Sequence, residues 1–526
     1  MLKNPYLING TIFLIALVGF ISVLFATHIG VGISPDSTGY IEEARNLLDG
    51  FGISQISNTG KVIPISVHPP LFQTLIAIIG FFDIDLAVGA RWINAFFFGA
   101  NIVLAGLIIQ QHVRSSWYPS ILATFIILIS VDLLHIHSMA WTEPSFIFWG
   151  ILGIYLLAKH IENQSRVLLM ASASAIALAC LSRYPGVTLI ATGVAGIIFL
   201  SRKPLKERMF DSLIFGFISS VPLILWLSRN MFIEGTPTSH PFGFHPITLQ
   251  HIKTALHTFS FWIFPSTNPN SLIGASLLVM LVVLPTLNIL QIKRKNMGKG
   301  YSFQDAIGVV PFLGIIFVVI YFIFLISIIS LFNLWVQPEK RILSIVHVFS
   351  VITIACIAYN LAKNCTMSGP AIIFIIVASM PLAAHHLRKS VNWVIHTHNN
   401  GLGYTSKFWA NSQFIQHVKL LPANSEIFTN APDLVNFLTT KRTWIIPFRI
   451  DPQSGLKGEN YEVNLARFRE KLRNNNNTFL VYFNPLSVSG VSLSRPFMAS
   501  EKDIIGGLPF EAIYSGSEGT IYKRKE

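Results

Sequence analysis

Apolar residues fall along this chain in runs of about 16 to 24, the length that the hydrocarbon core of a bilayer demands of a helix. The first run covers about 8–25. A polar, mixed-charge segment follows over 34–67 and carries Asp36, Glu42, Glu43, Arg45, Asp49 and Lys61. Within it Tyr40, Ala44, Leu47 and Leu48 recur at helical spacing, which predicts a short amphipathic helix along the membrane interface. Apolar runs resume at about 69–83, 88–110, 118–134, 142–158, 167–182 and 185–200. More follow at about 211–228, 271–290, 309–332, 341–362 and 370–386. In lipid every backbone polar group must be bonded internally, so these runs are read as helices.

After residue 388 the pattern becomes that of a soluble domain. Segments 426–429, 443–448 and 478–483 read as strands, with helices over 431–438 and 462–473 between them and a closing hairpin over 511–523. The fold class is thus a polytopic α-helical membrane protein with about 11–13 transmembrane helices and a small C-terminal extracytoplasmic α/β domain. The division falls into 1–388, with 34–67 as an external loop, and 389–526.

Composition agrees: 52% of the 526 residues are hydrophobic and only 12% charged, against about 25% charged in soluble proteins. Too little polar surface remains to cover a soluble domain, which excludes a soluble enzyme or a nucleic-acid module. The net charge of +13, from 38 Lys+Arg against 25 Asp+Glu, is read as the positive-inside rule rather than a basic ligand. Arg202, Lys203, Lys206 and Arg208 form one cytoplasmic cluster, and Lys293, Arg294, Lys295 and Lys299 another. The loop 229–270 and everything beyond 388 then lie outside. Counting backward with every run spanning puts 34–67 inside, contrary to what the resemblance given below implies; a half-span or a merger of two runs would reconcile them. The weakest segments are those around 183–186 and 118–140. Cys180, Cys356 and Cys365 stand at no metal-ligand spacing and imply no disulfide framework or zinc site. The first run, preceded by Lys3 and followed by no small-residue cleavage site, reads as a retained helix.

Several polar residues stand where chemistry could occur. Asp36, just beyond the first helix, could deprotonate a hydroxyl at the membrane–water boundary; it could equally cap the amphipathic helix. His68, before Pro69 and Pro70, could orient a phosphate or acceptor, or rest at the interface. Glu143 opens an apolar run and Arg183 interrupts another. Ionisable residues at such depth usually face an internal cavity, and snorkelling or a Glu143–arginine ion pair are the plainer readings. Lys340 and Arg341, opening a late run, look like an anion site, since arginine suits phosphate through paired hydrogen bonds. His135 and His137 with Asp132 lack the defined spacing of a metal site, and His240, His245, His251 and His257 read as loop histidines.

The order of these pieces is familiar. A first helix, then Asp36-Ser37-x-x-Tyr40 with Ala44, Leu48, Gly50 and Gly52, then His68-Pro69-Pro70-Leu71, resembles the GT-C glycosyltransferases. The protein O-mannosyltransferases and lipid A aminoarabinose transferases are nearest in style. Thr142-Glu143-Pro144, Leu181-Ser182-Arg183-Tyr184-Pro185-Gly186 and Arg341-Ile342-Leu343 are similar to their recurrent positions, and the external domain to tails of bacterial members. The resemblance implies a sugar donor linked to polyprenyl phosphate, a lipid, glycan or protein acceptor, and inversion at the anomeric carbon, in the inner or cytoplasmic membrane and with no nucleic acid. It makes Asp36 the base and gives the donor phosphate to Arg341, with Lys340 or Arg183; Tyr40, His68 and Glu143 are further cavity candidates. Many relatives have Asp-Glu where this chain has Asp36-Ser37, so a divalent metal stays open and no cofactor or metal ligand is assigned. A multi-pass transporter and a non-catalytic binding protein are the rival classes.

Overall fold

The computed structural model describes residues 5–525 except 58–60, 114–115, 239–241, 267, 296–307, 333–335, 365–368, 452–456, 459, 475–476, 489 and 494; for 5, 291–295, 364 and 369–378 it describes backbone alone. His240, Lys299 and Cys365 lie outside the described residues. Helix α1 (Pro5–Ala26) leads to α2 (Pro35–Leu48), an antiparallel ladder of β1 (Ser54–Ile56) and β2 (Val62–Pro64), and α3 (Leu71–Gly80). The helical body continues through α4 (Leu86–Val113), α5 (Tyr118–Leu128), α6 (Val131–Ser138), α7 (Glu143–Asn163), α8 (Arg166–Ser182), α9 (Val187–Leu200) and α10 (Leu205–Glu234). It closes with α11 (Leu249–Ile263), α12 (Ser271–Lys295), α13 (Val309–Leu331), α14 (Ser344–Asn364) and α15 (Gly369–Asn400), the last carrying the chain across residue 388.

Among the described helices, α1, α4, α7, α10, α12, α13 and α14 are long and apolar enough to cross a membrane. The pair α5 and α6, bent by 57°, makes an eighth when taken as one broken span. The apolar run expected over 118–134 is therefore interrupted: α5 stops at Leu128, and Ser130 caps α6 by accepting from the Leu133 amide. Three expected runs give apolar helices shorter than a full span, those of α3, α8 and α9 with the 3-10 turn before it, and the run over 69–83 is the shortest. Its helix α3 has only 10 residues, about 15 Å at 1.5 Å per residue, half of a bilayer core of about 30 Å. A turn through Phe81, Phe82 and Asp83, with Asp83 at φ 59°, ends it. Both ends of α3 stay at the α1 C-terminal end. Gly80 lies against Leu48 of α2 and Leu86 of α4, and Arg91 early in α4 donates to Thr27 and to the Leu24 carbonyl. With α3 left out, α5 and α6 counted as one span, and α8 and α9 either both crossing or both short, segment 34–67 falls on the side opposite the basic residues 202–208. The parity conflict of the sequence disappears.

Beyond α15 come α16 (Lys407–Ala410), α17 (Gln413–Leu420), β3 (Glu426–Thr429), α18 (Pro432–Thr439), β4 (Thr443–Ile445), α19 (Tyr461–Asn474) and β5 (Thr478–Phe483). A short ladder of β6 (Ser487–Val488) with β7 (Val491–Ser492), α20 (Glu501–Ile505) and the hairpin β8 (Phe510–Ser515) with β9 (Gly519–Arg524) complete it. The sheet order is β4-β3-β5-β9-β8, with β4, β3 and β5 parallel and the hairpin antiparallel. The alternation of strand and helix is what makes the first three strands parallel. One buried apolar cluster fills the helical body. A second joins Ile33, Tyr40 and Phe72 to Leu402, Trp409, Phe414, Val481 and Ile521. Each such side chain gains about 1.5–3 kcal/mol on burial, so the sheet domain and segment 31–72 are held as one packed unit.

Candidate active site

The site begins with three residues of extended chain. The Gly32 amide donates to the Ser138 carbonyl and the Ala140 amide to that of Gly32, both at 2.9 Å. On the other side the Tyr404 amide donates to the Ile33 carbonyl at 2.9 Å and the Thr405 hydroxyl to that of Val31 at 2.9 Å. This strip delivers Ser34 as the N-cap of α2. Its hydroxyl accepts from the Ser37 amide at 3.4 Å and from the Trp141 indole at 2.8 Å, and Pro35 takes the first helical position. The capping role weighed for Asp36 thus belongs to Ser34. Asp36 sits in the first turn, where helix polarity favours an acid, and its carboxylate is left for other partners.

Those partners come from far along the chain. Arg341, in the turn that precedes α14, donates through Nη1 to Asp36 Oδ2 at 2.6 Å and through Nε to Glu143 Oε1 at 2.5 Å. Its guanidinium lies over the Trp141 ring, 4.4 Å from the centroid, a cation–π contact. Glu143 occupies the first turn of α7, where Pro144 costs no hydrogen bond. The same oxygen, Oε1, also accepts from Arg183. Arg183 stands at the break between α8 and the single 3-10 turn Tyr184–Gly186, and it donates to the Thr142 hydroxyl at 3.2 Å. The Arg341 turn is itself tied down: the Tyr321 hydroxyl donates to the Ile342 carbonyl at 2.6 Å and Thr258 to that of Pro338 at 3.3 Å.

Two arginines face two carboxylates, so the cluster has no net formal charge. Exposure separates its members. The Glu143 side chain is 1% exposed and Arg183 17%, whereas Arg341 is 24% and Asp36 39% exposed. Asp36 is ringed by protein yet keeps more than a third of its side chain exposed. Burial alone would raise its pKa; the Arg341, His68 and Arg183 charges and the Arg341 hydrogen bond outweigh that and bring it down to about 2. For Arg341 burial acts against the charged form, but Glu143 and Asp36 hold it firmly protonated. Tyr40, one turn beyond Asp36, presents its ring to His68 at 4.7 Å. His68 Nδ1 lies 3.6 Å from Glu43, a fully buried carboxylate that also accepts from Gln55 at 3.0 Å and Gln73 at 2.7 Å.

The expected residues Asp36, Arg341, Arg183 and Glu143 therefore meet in one network, with Tyr40 and His68 at its edge. Lys340 does not join them. Its charge acts on Asp132 and His135 of α6, because successive residues of a turn point different ways. His137 is committed to the Leu133 carbonyl at 2.7 Å and to Asn101 at 3.1 Å, and His251 to the capping box of α11. Among the described residues no group of three His, Cys, Asp or Glu side chains is placed to hold a metal. Ser37 bonds to Ser34 at 3.0 Å. The sequence reading gave no role to Trp141, Ser34 or Glu43. Only Trp141 had a visible signal, an aromatic directly before Thr142-Glu143-Pro144.

A sequence model of the family described as Dolichyl-phosphate-mannose-protein mannosyltransferase matches residues 65–232. No curated protein matches the sequence. Among solved structures, ArnT from Cupriavidus metallidurans in the apo state is similar at a TM-score of 0.55 and 10% identity, over 98% of this chain and 97% of that one. The same protein bound to undecaprenyl phosphate is similar at 0.53 and 10% identity, over 98% of each chain. The oligosaccharyltransferase of Archaeoglobus fulgidus in the apo form gives 0.55 and 11% identity over 91% of this chain and 70% of that one. At such identities these likenesses establish the shared fold.

Proposed function

We propose that this chain, built on the fold of the GT-C glycosyltransferases, transfers a sugar from a polyprenyl-phosphate donor to an acceptor hydroxyl with inversion. The observation that carries the reading is the direct bond between Arg341 and Asp36, a phosphate-binding cation joined to a base across 305 residues of sequence. The fold match to a protein bound to undecaprenyl phosphate supports the class of donor.

Asp36 Oδ2 takes the proton of the acceptor hydroxyl as that oxygen forms its bond to the anomeric carbon. The bond from that carbon to the phosphate oxygen breaks on the opposite face, its electron pair staying with the lipid phosphate. Arg341 and Arg183 stabilise the charge that gathers there. His68 and Tyr40 line the acceptor side, and the acceptor is a lipid, glycan or protein hydroxyl. The enzyme sits in the cytoplasmic membrane with residues 202–208 inside, by the positive-inside rule. The site and the domain of residues 389–526, packed on 31–33, then face outward.

The test is radiolabelled transfer from polyprenyl-phosphate sugars by Asp36→Asn. A positioned carboxylate base contributes about 10²–10⁴ in rate, so a correctly inserted Asp36→Asn protein should show little or no transfer. Full activity in that variant overturns the base assignment.

A further inference from the structure

In the resting site the arginines that would hold phosphate are already neutralised. An incoming lipid phosphate must take the place of a carboxylate, and the two carboxylates differ in how firmly they are held. Asp36 is 39% exposed and makes a single bond to the cluster, from Arg341 Nη1. Glu143 is 1% exposed, sits in the first turn of α7, and accepts from Arg341 Nε and Arg183 through one oxygen while its Oε2 has no hydrogen-bond partner. Releasing Glu143 would strand a buried carboxylate, which is costly. Releasing Asp36 leaves a carboxylate that is already 39% exposed. Once Asp36 leaves, Arg341 keeps Nε on Glu143 and turns its Nη1 and Nη2 fork to the phosphate.

We propose that Glu143 is a positioning residue for the donor phosphate, clamping Arg183 and Arg341 in place, and that Asp36 is the exchangeable partner the phosphate displaces from Arg341. This rests on the transferase reading above. It makes the base available only when the donor has arrived, so donor binding precedes activation of the acceptor. Simple charge counting makes a different forecast. Deleting either carboxylate leaves the site more positive and should tighten binding of an anion in both cases. A clamp and a displaced partner instead give changes of opposite sign.

The experiment measures binding of decaprenyl monophosphate to the full-length protein in nanodiscs, with thermal unfolding as a check on folding. Asp36→Asn should bind about fivefold or more tightly, having lost the competitor for Arg341. Glu143→Gln should bind about tenfold more weakly despite losing a negative charge, with Glu143→Asp recovering part of the loss. In transfer assays Glu143→Gln should raise KM for the donor more than it lowers kcat. Tighter binding in Glu143→Gln overturns the clamp. Binding in Asp36→Asn that is equal to or weaker than wild type overturns the displacement, and this arm does not depend on whether Glu143→Gln folds. Arg341→Ala separates the two levels. If it binds the lipid phosphate normally, the phosphate site itself is wrong; if it loses binding while Glu143→Gln gains it, only the present inference fails.

Discussion

Arg341→Lys is the sharpest test of the site, because it keeps the charge and removes only the planar fork. In the structure two different nitrogens of Arg341 reach two different carboxylates, Nε to Glu143 at 2.5 Å and Nη1 to Asp36 at 2.6 Å. A lysine ammonium is one point charge on a flexible stem and cannot reproduce both directions. Losing one charge-assisted hydrogen bond costs about 1.5–3 kcal/mol. The flat contact over Trp141 is worth a further 0.5–1 kcal/mol or so at a partly open position. Together these come to about 2–4 kcal/mol, a loss of about 30- to 900-fold in kcat/KM. Arg341→Ala should lose at least as much, since removing one preorganised donor typically costs about 10²–10³.

The assay is the initial rate of sugar transfer at several donor concentrations, in proteoliposomes, on protein whose thermal unfolding matches the wild type. Arg341→Lys within about threefold of wild type would refute the argument, since a lost charge-assisted bond predicts more. Normal transfer by Arg341→Ala would mean that another cation holds the phosphate.

Other outcomes follow from the same geometry. The depressed pKa of Asp36, about 2, means that protonation removes the carboxylate only as pH falls toward that value; kcat/KM should therefore show no acid limb due to Asp36 between about pH 8 and pH 5. In kcat, which reports the complex, the limb should move to higher pH once phosphate has drawn Arg341 away; a limb near pH 5 in kcat/KM would refute the pairing. Gly403 has φ +60° and an added Cβ would lie 2.1 Å from the Ile33 carbonyl oxygen, so Gly403→Ala should cost about 1–3 kcal/mol or more in stability and lower transfer, checked by thermal unfolding and rate. Single cysteines replacing the exposed Ser517 and Lys206, in a cysteine-free background, should label from opposite sides of the membrane with an impermeant reagent; labelling from one side would refute the topology.

The elements that sequence made legible are those whose signal is local. β3 and β5 carry dense runs of apolar and aromatic residues, and the structure places them at the expected bounds, Glu426–Thr429 and Thr478–Phe483. α2 was visible from the spacing of Tyr40, Ala44 and Leu47. The length of α3 was not, because Phe81 and Phe82 extend the apolar run while the chain has already turned. For the site, residue types were legible and partners were not. Asp36, Glu143, Arg183 and Arg341 each stood out as a charge in an apolar setting, but only packing determines that Arg341 meets Asp36 while Lys340 turns to α6. Ser34 and Asp36 are both good helix-capping residues two positions apart, and which one caps depends on the extended strip before them. Glu43 looked like one more charge on a polar helix. Its burial follows from the β1–β2 ladder and α3, which bring Gln55 and Gln73 onto it.

The C-terminal domain acquires a mechanical meaning from the same strip. Residues 31–33 have little intrinsic reason to be extended, since two of the four residues 30–33 are glycines and glycine pays the most entropy on ordering. Their conformation is imposed from both sides, by 138–140 of the helical body and by 402–405 just beyond α15. That order is passed directly to Ser34, which caps α2, and through the first turn of α2 to the Asp36 carboxylate two residues later. Trp141 closes the loop, since the indole that bonds Ser34 also underlies the Arg341 guanidinium. The Asp36 carboxylate and the Arg341 guanidinium are thus set by a common scaffold in which residues more than 360 positions apart take part, as the 374-residue separation of Thr405 from Val31 illustrates. Loosening the 402–405 contacts should therefore disturb the Asp36–Arg341 distance before it unfolds either the helical body or the sheet, whose own cores remain intact.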